Sequence, residues 1–133
     1  MDLVTYKPIG VVHSPFKEPK NVPIQAVALK VAKATIELYP EYLEGLNDLE
    51  DLSRIILFYR FNQVRSFSLS VKPFLDEKLH GAFATRSPAR PNAIGISTVR
   101  LIGIENNLIH VQNIDLLDGT PLLDIEPYVP KFD

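Results

Sequence analysis

Cysteine is absent from this chain of 133 residues. Its absence excludes disulfide bonds, thiolate metal sites and a cysteine nucleophile, and it suits a reducing compartment or a hot one. The three histidines, His13, His80 and His110, show no spacing typical of metal ligands. We therefore predict that the protein binds no metal.

Long apolar runs are missing as well. No run approaches the roughly 20 residues that cross a bilayer, and the first ten residues, MDLVTYKPIG, do not place a basic segment before an apolar one. We expect a cytoplasmic protein with no membrane partner. Because 46% of the residues are hydrophobic, residues 1–133 are expected to form a single domain with a real core.

The net charge is only −2, but acidic and basic residues are segregated, so that positive charge is scarce in some parts of the chain and negative charge in others. Residues 34–53 contain six acids and no base, whereas residues 54–104 contain eight bases and two acids, and the tail after residue 105 is acidic again. The whole-chain charge does not indicate a nucleic-acid partner. A basic binding face and scattered solvated charges both remain open.

A glycine-rich nucleotide loop is also lacking, since no GxGxxG motif follows a strand and no strand-helix-strand alternation appears. Short segments rich in β-branched and aromatic residues predict strands instead. These segments are residues 3–14, 34–39, 54–61, 67–74, 81–87, 93–104, 107–117 and 122–128. The pattern predicts a mainly β fold, a small antiparallel β-barrel rather than a doubly wound sheet.

Two local features refine this fold. Apolar residues at three-residue steps after Pro40 predict one short helix over residues 42–52, which Gly45 weakens. Residues 105–107, Glu-Asn-Asn, stand between two long apolar runs and predict a hairpin turn, because asparagine tolerates positive φ.

The most informative stretch is residues 80–95, HGAFATRSPARPNAIG. Pro88 and Pro91 exclude an ordinary helix and push the preceding residues toward extended conformations. Arg86 and Arg90 are therefore displayed on a stiffened loop, and a guanidinium suits carboxylate or phosphate. We predict a binding site for an anionic or zwitterionic ligand.

Three aspartates lie in the second informative run, NIDLLDGTPLLDIEPYVP, at residues 113–130. Asp118 and Gly119 are typical of a tight turn in which the aspartate accepts from local backbone amides. Asp115 and Asp124 stand in apolar surroundings, where a buried carboxylate needs a partner. For Asp115 both a ligand or catalytic contact and an ion pair with Arg86 or Arg90 stay open, and for Asp124 we favour a structural ion pair.

Other polar residues give weaker signals. Gln25 follows a proline-stiffened loop, and Asn62 and Gln63 could present donors and acceptors to a heterocycle at the end of a strand. For His13 and His80, a hydrogen-bonded structural role is favoured over acid-base chemistry.

Taken together, four motifs resemble the TsaA-like (TrmO) family of tRNA adenine-N6-methyltransferases that use S-adenosylmethionine (SAM). These motifs are IGVVHSPF, FYRFNQ, GAFATRSPARPNAIGIS and IDLLDGTPLLDIEPYVP. The resemblance covers nearly the whole chain. It implies a non-Rossmann barrel that works as a homodimer and methylates N6 of N6-threonylcarbamoyladenosine beside the anticodon, at tRNA position 37.

The resemblance also implies the site residues. Contacts to SAM are expected from Gln25, Ala26, Asn62, Gln63, Arg86, Ile96, Asn113, Ile114 and Asp115. Arg86 would hold the methionine carboxylate or order its loop, and Asp115 would accept from the adenosine or amino group. Because alignment contributes most to methyl transfer, few reactive side chains are needed. Asp115 and His80, with Asp118 beside them, are the candidate proton acceptors.

Two further expectations concern RNA. The target base must leave its stack, and Tyr42, Tyr59, Phe67 and Tyr128 are aromatic residues that could receive it, although core packing is the default expectation for each. Longer relatives carry an additional C-terminal domain, so a chain without it would hold tRNA with its barrel alone. The competing hypothesis is a non-catalytic β-barrel that binds RNA or a small anionic ligand through Arg86 and Arg90.

Overall fold

A computed structural model of the protein describes residues 2–18, 32–62, 64, 66–73 and 76–133. Its strands, in chain order, are β1 (Gly10–His13), β2 (Lys33–Leu38), β3 (Arg54–Arg60), β4 (Ser70–Val71), β5 (His80–Gly81), β6 (Ile94–Glu105), β7 (Leu108–Gln112) and β8 (Thr120–Pro127). Six of them close into a barrel in the order β1-β2-β7-β6-β3-β8, and every pairing is antiparallel. The predicted small antiparallel barrel is confirmed.

The barrel forms because side chains along its strands alternate between core and solvent. In β6, Gly95, Ser97, Val99 and Leu101 are buried while the residues between them are exposed. The core is filled by β-branched and leucine side chains from all six strands and by Ile114 and Leu116 after β7. Closure leaves no unpaired sheet edge in the barrel.

The predicted hairpin and helix are both present. Asn106, with a φ of 56°, turns the chain between β6 and β7. The helical segment begins at Pro40 and consists of two 3-10 pieces, Pro40–Leu46 and Leu49–Asp51. The left-handed conformation of Asp48, with a φ of 70°, interrupts it.

Several predicted strands are shorter than expected or have another form. In their described residues, the segments 67–74 and 81–87 contain only β4, the second residue of β5 and a 3-10 turn at Ala82–Ala84, and β4 and β5 pair outside the barrel. Strand β7 ends at Gln112 because Asn113, with a φ of 71°, leaves the extended conformation. None of the helices in the described ranges is long and apolar enough to span a membrane.

Tyr59 is the one aromatic side chain in the buried core cluster of the described residues, and it requires a glycine on the neighbouring strand. Gly95 lies directly across from it, and a Cβ there would overlap Cε2 of the ring and lie 2.6 Å from its Cζ. The edge of the Phe61 ring also meets Tyr59, with centroids 5.3 Å apart. Core packing, the default expectation for Tyr59, is confirmed, since only 3% of the residue is exposed, and its ring is not available to receive a base.

Substitution of Gly95→Ala should therefore lower the free energy of unfolding by about 1–3 kcal/mol, since added bulk in a packed core displaces side chains or backbone. Chemical denaturation measures the change. Gly103→Ala in the same strand is the matched control, because a Cβ at Gly103 meets nothing within 4 Å. Equal stability of the two variants would contradict the packing role of Gly95.

Candidate functional site

Most predicted site residues that the structure describes lie at one end of the barrel. Asn62 follows β3, residues 113–115 follow β7, and the loop carrying Arg86 leads into β6. In an antiparallel barrel the ends of β3 and β7 and the beginnings of β6 and β8 share this end, which we call the site end. Gln25, Ala26 and Gln63 lie outside the described residues.

A chain of hydrogen bonds runs from the barrel core to the site end. The Ser97 hydroxyl donates to Asp115 Oδ1 over 2.9 Å. Because that proton is committed to Asp115, the Tyr59 hydroxyl donates to Ser97 Oγ, over 2.7 Å. Tyr59 and Ser97 are buried and Asp115 is half-buried, so the chain links a core phenol to a carboxylate at the surface.

The chain has a clear electrostatic signature. Burial raises the pKa of Tyr59 to about 12, and the negative charge of Asp115 adds to the rise. The phenol therefore stays protonated and remains a donor. Burial also raises the pKa of the Asp115 carboxyl, which outweighs the opposing effects of the Ser97 hydrogen bond and the Arg86 charge. A carboxylate with a raised pKa is a better proton acceptor than an ordinary aspartate.

Arg86 and Arg90 have different roles in their loop. Arg90 is half-buried and donates through one terminal nitrogen to the carbonyls of Thr85, at 2.7 Å, and Ser87, at 3.3 Å. Arg86 is exposed, and its positive charge lowers the pKa of both Asp115 and Tyr59. Within the described ranges, no ion pair within 4.0 Å joins either arginine to Asp115, so of the two alternatives open for Asp115 the contact ion pair is not observed.

Asp118 and Asn62 hold neighbouring loops together. Asp118 Oδ1 accepts from the Ser14 amide at 3.0 Å and Oδ2 from Lys17 Nζ at 2.7 Å. These contacts lower the pKa of Asp118, with Lys17 the larger cause. The prediction that Asp118 bonds to its own turn is wrong, because its partners come from the N-terminal part of the chain. Asn62 Nδ2 donates to the Gly119 carbonyl at 3.2 Å.

The remaining candidates lie in different environments. Ile96 points outward on β6 and is 46% exposed, whereas the Ile114 side chain is fully buried. The backbone amide of Asn113 donates to the Ala32 carbonyl over 2.9 Å. His80 lies in the β4–β5 pair, where its Nε2 is 2.8 Å from Asp76 Oδ2.

Asp124 was expected to be buried and ion-paired, but it is exposed and has no ion pair within 4.0 Å among the described residues. Its side chain is exposed, and its Oδ1 accepts from the Ile125 amide at 2.9 Å. A register shift between Phe58 and Tyr59 lies beside it, in the pairing of β3 with β8. Because side chains alternate along a strand, such a shift changes which of them face the core.

Sequence reasoning missed Ser97 and the structural role of Tyr59. The sequence did contain a signal for this contact, because each is a polar residue at an inward position of a strand whose other inward positions are apolar or glycine. A buried hydroxyl needs a partner, so two such positions on paired strands could have predicted contact between them.

Comparisons with known proteins agree with the resemblance read from the sequence. A family model described as tRNA-methyltransferase O N-terminal domain matches residues 11–133. A probable S-adenosyl-L-methionine-binding protein of Pyrococcus abyssi is 56% identical over 131 residues, which cover 98% of this chain and 71% of that protein. The cofactor in its name is the predicted one.

A human protein and a crystal structure give further matches. The tRNA (adenine(37)-N6)-methyltransferase of Homo sapiens is 32% identical over 136 residues, which cover 96% of this chain and 30% of that protein. The crystal structure of TrmO from Pseudomonas aeruginosa aligns with a TM-score of 0.83 at 41% identity, covering 99% of this chain and 59% of that one. The chain thus spans less than two thirds of the length of these two proteins.

Replacing Asp115 by asparagine should raise stability near pH 7. The folded state raises the pKa of this carboxyl, so its ionised form costs stability above the folded pKa, and the cost disappears below the unfolded pKa. Thermal unfolding of wild type and Asp115→Asn across acidic and neutral pH measures the difference, which should shrink as the pH falls.

Asp118→Asn is the matched control, with the opposite sign. The folded state lowers the pKa of Asp118, so its charge contributes stability above the unfolded pKa, and that contribution is lost as the pH falls through the folded pKa. The variant should be less stable than wild type near pH 7. An equal loss of stability in both variants would refute the assignment of a costly charge to Asp115.

Proposed function

Because this chain belongs to the family of tRNA-methyltransferase O N-terminal domains, we propose that it is an SAM-dependent tRNA methyltransferase. Its proposed target is N6 of N6-threonylcarbamoyladenosine at position 37, beside the anticodon, and its proposed place of action is the cytoplasm. The observation that carries the proposal is the family match over residues 11–133. The site end supports it, because a free guanidinium and a half-buried carboxylate lie there together.

The residues at the site end fit the charges of the cofactor. SAM, when bound, supplies a methyl group on a positively charged sulfur and offers a carboxylate, an amino group and an adenine to the protein. Arg86 is exposed and makes no hydrogen bond in the described part of the chain, so its fork of donors is available to a carboxylate. We assign it to the methionine carboxylate. Asn62, Ile96, Asn113 and Ile114 remain proposed contacts, as do Gln25, Ala26 and Gln63.

Asp115 is our proposed acceptor for the proton that N6 loses. Its raised pKa and its fixed position on Ser97 suit that role. Asp118 is less suitable, because Lys17 and the Ser14 amide engage both oxygens and lower its pKa. His80, the other candidate, is paired with Asp76 at the β4–β5 sheet. We therefore assign the acceptor role to Asp115 ahead of His80.

A homodimer is part of the proposal. Large apolar side chains are exposed around the β4–β5 pair and on the outer face of β6: Phe67, Leu69, Leu79, Phe83, Ile94 and Ile96. Exposed apolar surface of this kind commonly marks a protein interface. We propose that a second copy of the chain covers it, close to the loop that carries Arg86.

Transfer of labelled methyl from SAM to tRNA carrying the threonylcarbamoyl modification tests the function. Arg86→Ala should weaken SAM binding by about tenfold or more, since a charge-assisted bond contributes about 1.5–3 kcal/mol. Arg90→Ala is the matched control, because its guanidinium already binds its own loop, and it should lower stability more than affinity.

Three outcomes of that experiment have distinct meanings. Equal SAM affinities of the two variants would contradict the assignment of Arg86. SAM binding without transfer to the modified tRNA would indicate a methyltransferase with another substrate. No affinity of the wild type for SAM or S-adenosylhomocysteine in calorimetry would favour the non-catalytic barrel.

For the dimer, Phe83→Ser should shift the protein from dimer to monomer in sedimentation velocity, because it removes apolar surface from the proposed interface. Phe132→Ser is the matched control, since Phe83 and Phe132 are 79% and 80% exposed. The control should leave the sedimentation coefficient unchanged. A monomeric wild type, or a Phe83→Ser variant that dimerises as wild type does, would overturn this part of the proposal.

A further inference from the structure

Four polar side chains form a row across the outside of the barrel. Arg54 of β3 is paired in register with Arg100 of β6, Arg100 with Gln112 of β7, and Gln112 with Lys33 of β2. Residues paired in register point to the same face of a sheet. Arg54, Arg100 and Lys33 are exposed, and the residues beside them in each strand are buried. We call these four residues the basic row.

The cations of the basic row lack acidic partners. Within the described ranges, no carboxylate lies within 4.0 Å of Arg54, Arg100 or Lys33. The guanidinium of Arg54 lies 5.8 Å from the centroid of the Tyr128 ring, a cation–π contact. Like charges directly opposite each other on neighbouring strands are unfavourable. The Arg54–Arg100 pairing is therefore electrostatically unfavourable, and an anion that binds both guanidiniums would offset the repulsion.

The position of the row relates it to the site end. Gln112 directly precedes Asn113, so the row reaches the segment that carries Asp115. At the usual spacing between strands, four strands span about 14 Å, which is long enough for successive phosphates of one nucleic-acid strand. A groove of about 700 Å³ continues from Lys33 toward β1 and is lined in part by His13, Lys17 and His110.

Acidic side chains near that groove already lie beside lysine or histidine side chains. Asp118 binds Lys17, Glu37 lies 2.9 Å from His13, and Glu105 lies 3.7 Å from His110. In the strand register Glu37 and Glu105 both pair with Leu108, four residues along β7 from Gln112. Among the described residues around this groove, the cations of the row thus have no carboxylate within 4.0 Å and are available to a polyanion.

We propose that the basic row is a docking surface for the phosphate backbone of RNA, which positions the substrate while its base enters the site end. The inference rests on the proposed function for the identity of the RNA. Phosphate contacts fix the orientation of a nucleic acid without reading its sequence, so the row would bind tRNA species without distinguishing among them.

Binding of a fluorescently labelled full-length tRNA transcript, measured by anisotropy at several salt concentrations, tests the row. Arg100→Ala and Lys33→Ala should each weaken binding by about three- to tenfold and reduce the slope of log affinity against log salt by about 0.7–0.9, the value for one lost phosphate contact. Arg100→Lys should retain most of the affinity, because a phosphate contact depends on the charge.

Lys7→Ala is the matched control, since it removes one positive charge from a lysine that pairs with Glu41, at 3.8 Å and away from the row. It should leave the salt slope unchanged. All variants should keep the wild-type melting temperature and the wild-type affinity for SAM, which shows that a loss of RNA binding does not arise from unfolding or from the cofactor site.

Several results would overturn the inference. One is that Arg100→Ala and Lys33→Ala bind tRNA as Lys7→Ala does. Another is that they change the sedimentation coefficient, which would assign the row to contact between two copies of the chain. If methyl transfer occurs but the row variants bind tRNA as wild type does, the proposed function stands and the docking surface is refuted. If tRNA binding depends on the row but no methyl is transferred, the docking surface stands and the proposed function is refuted.

Discussion

The half-buried carboxylate of Asp115 is the constraint on which the arrangement of the site end depends. Removing a charge from water costs several kcal/mol unless hydrogen bonds or opposite charges compensate. Ser97 supplies one such bond. The Tyr59 hydroxyl donates to Ser97 Oγ, which leaves the Ser97 proton directed toward Asp115. The Tyr59 ring in turn fits because Gly95 has no side chain. Core packing and the chemistry of the site are therefore coupled through these four residues.

The described loops around Asp115 are held by contacts in which the Arg86 guanidinium takes no part. Arg90 binds the carbonyls of its own loop, Asp118 binds Ser14 and Lys17, and Asn62 binds the carbonyl of Gly119. Each contact reduces the conformational freedom that a ligand would otherwise have to remove. Arg86 remains exposed on this stiffened frame, so its charge is available to a ligand as well as to Asp115.

Sequence patterns were sufficient for the barrel and for the hairpin at Asn106, because these depend on local alternation and turn chemistry. They could not provide the pairing of strands. Asp124 was placed in the core because its neighbours are apolar, yet it is exposed, and the strand register beside it is shifted. The contact between Tyr59 and Ser97 was missed for a related reason, since it exists only once β3 and β6 are aligned. The different roles of Arg86 and Arg90 also required coordinates, because they lie four residues apart in the same proline-stiffened loop.

The fold also separates the charges of a chain whose net charge is −2. The acidic helical segment follows the end of β2 at Leu38, whereas Lys33 lies at the beginning of that strand, about 17 Å away at the usual rise per residue. Exposed charges farther apart than the screening length of about 8 Å at physiological salt interact weakly. A polyanion at Lys33 and Arg100 is therefore attracted mainly by the nearby cations. A polyanion at Arg54 is also repelled by Glu50 and Asp51, which closely precede Arg54 in the chain. Affinity for a phosphate backbone should thus be greatest toward Gln112 and Lys33, the part of the basic row that leads to Asp115.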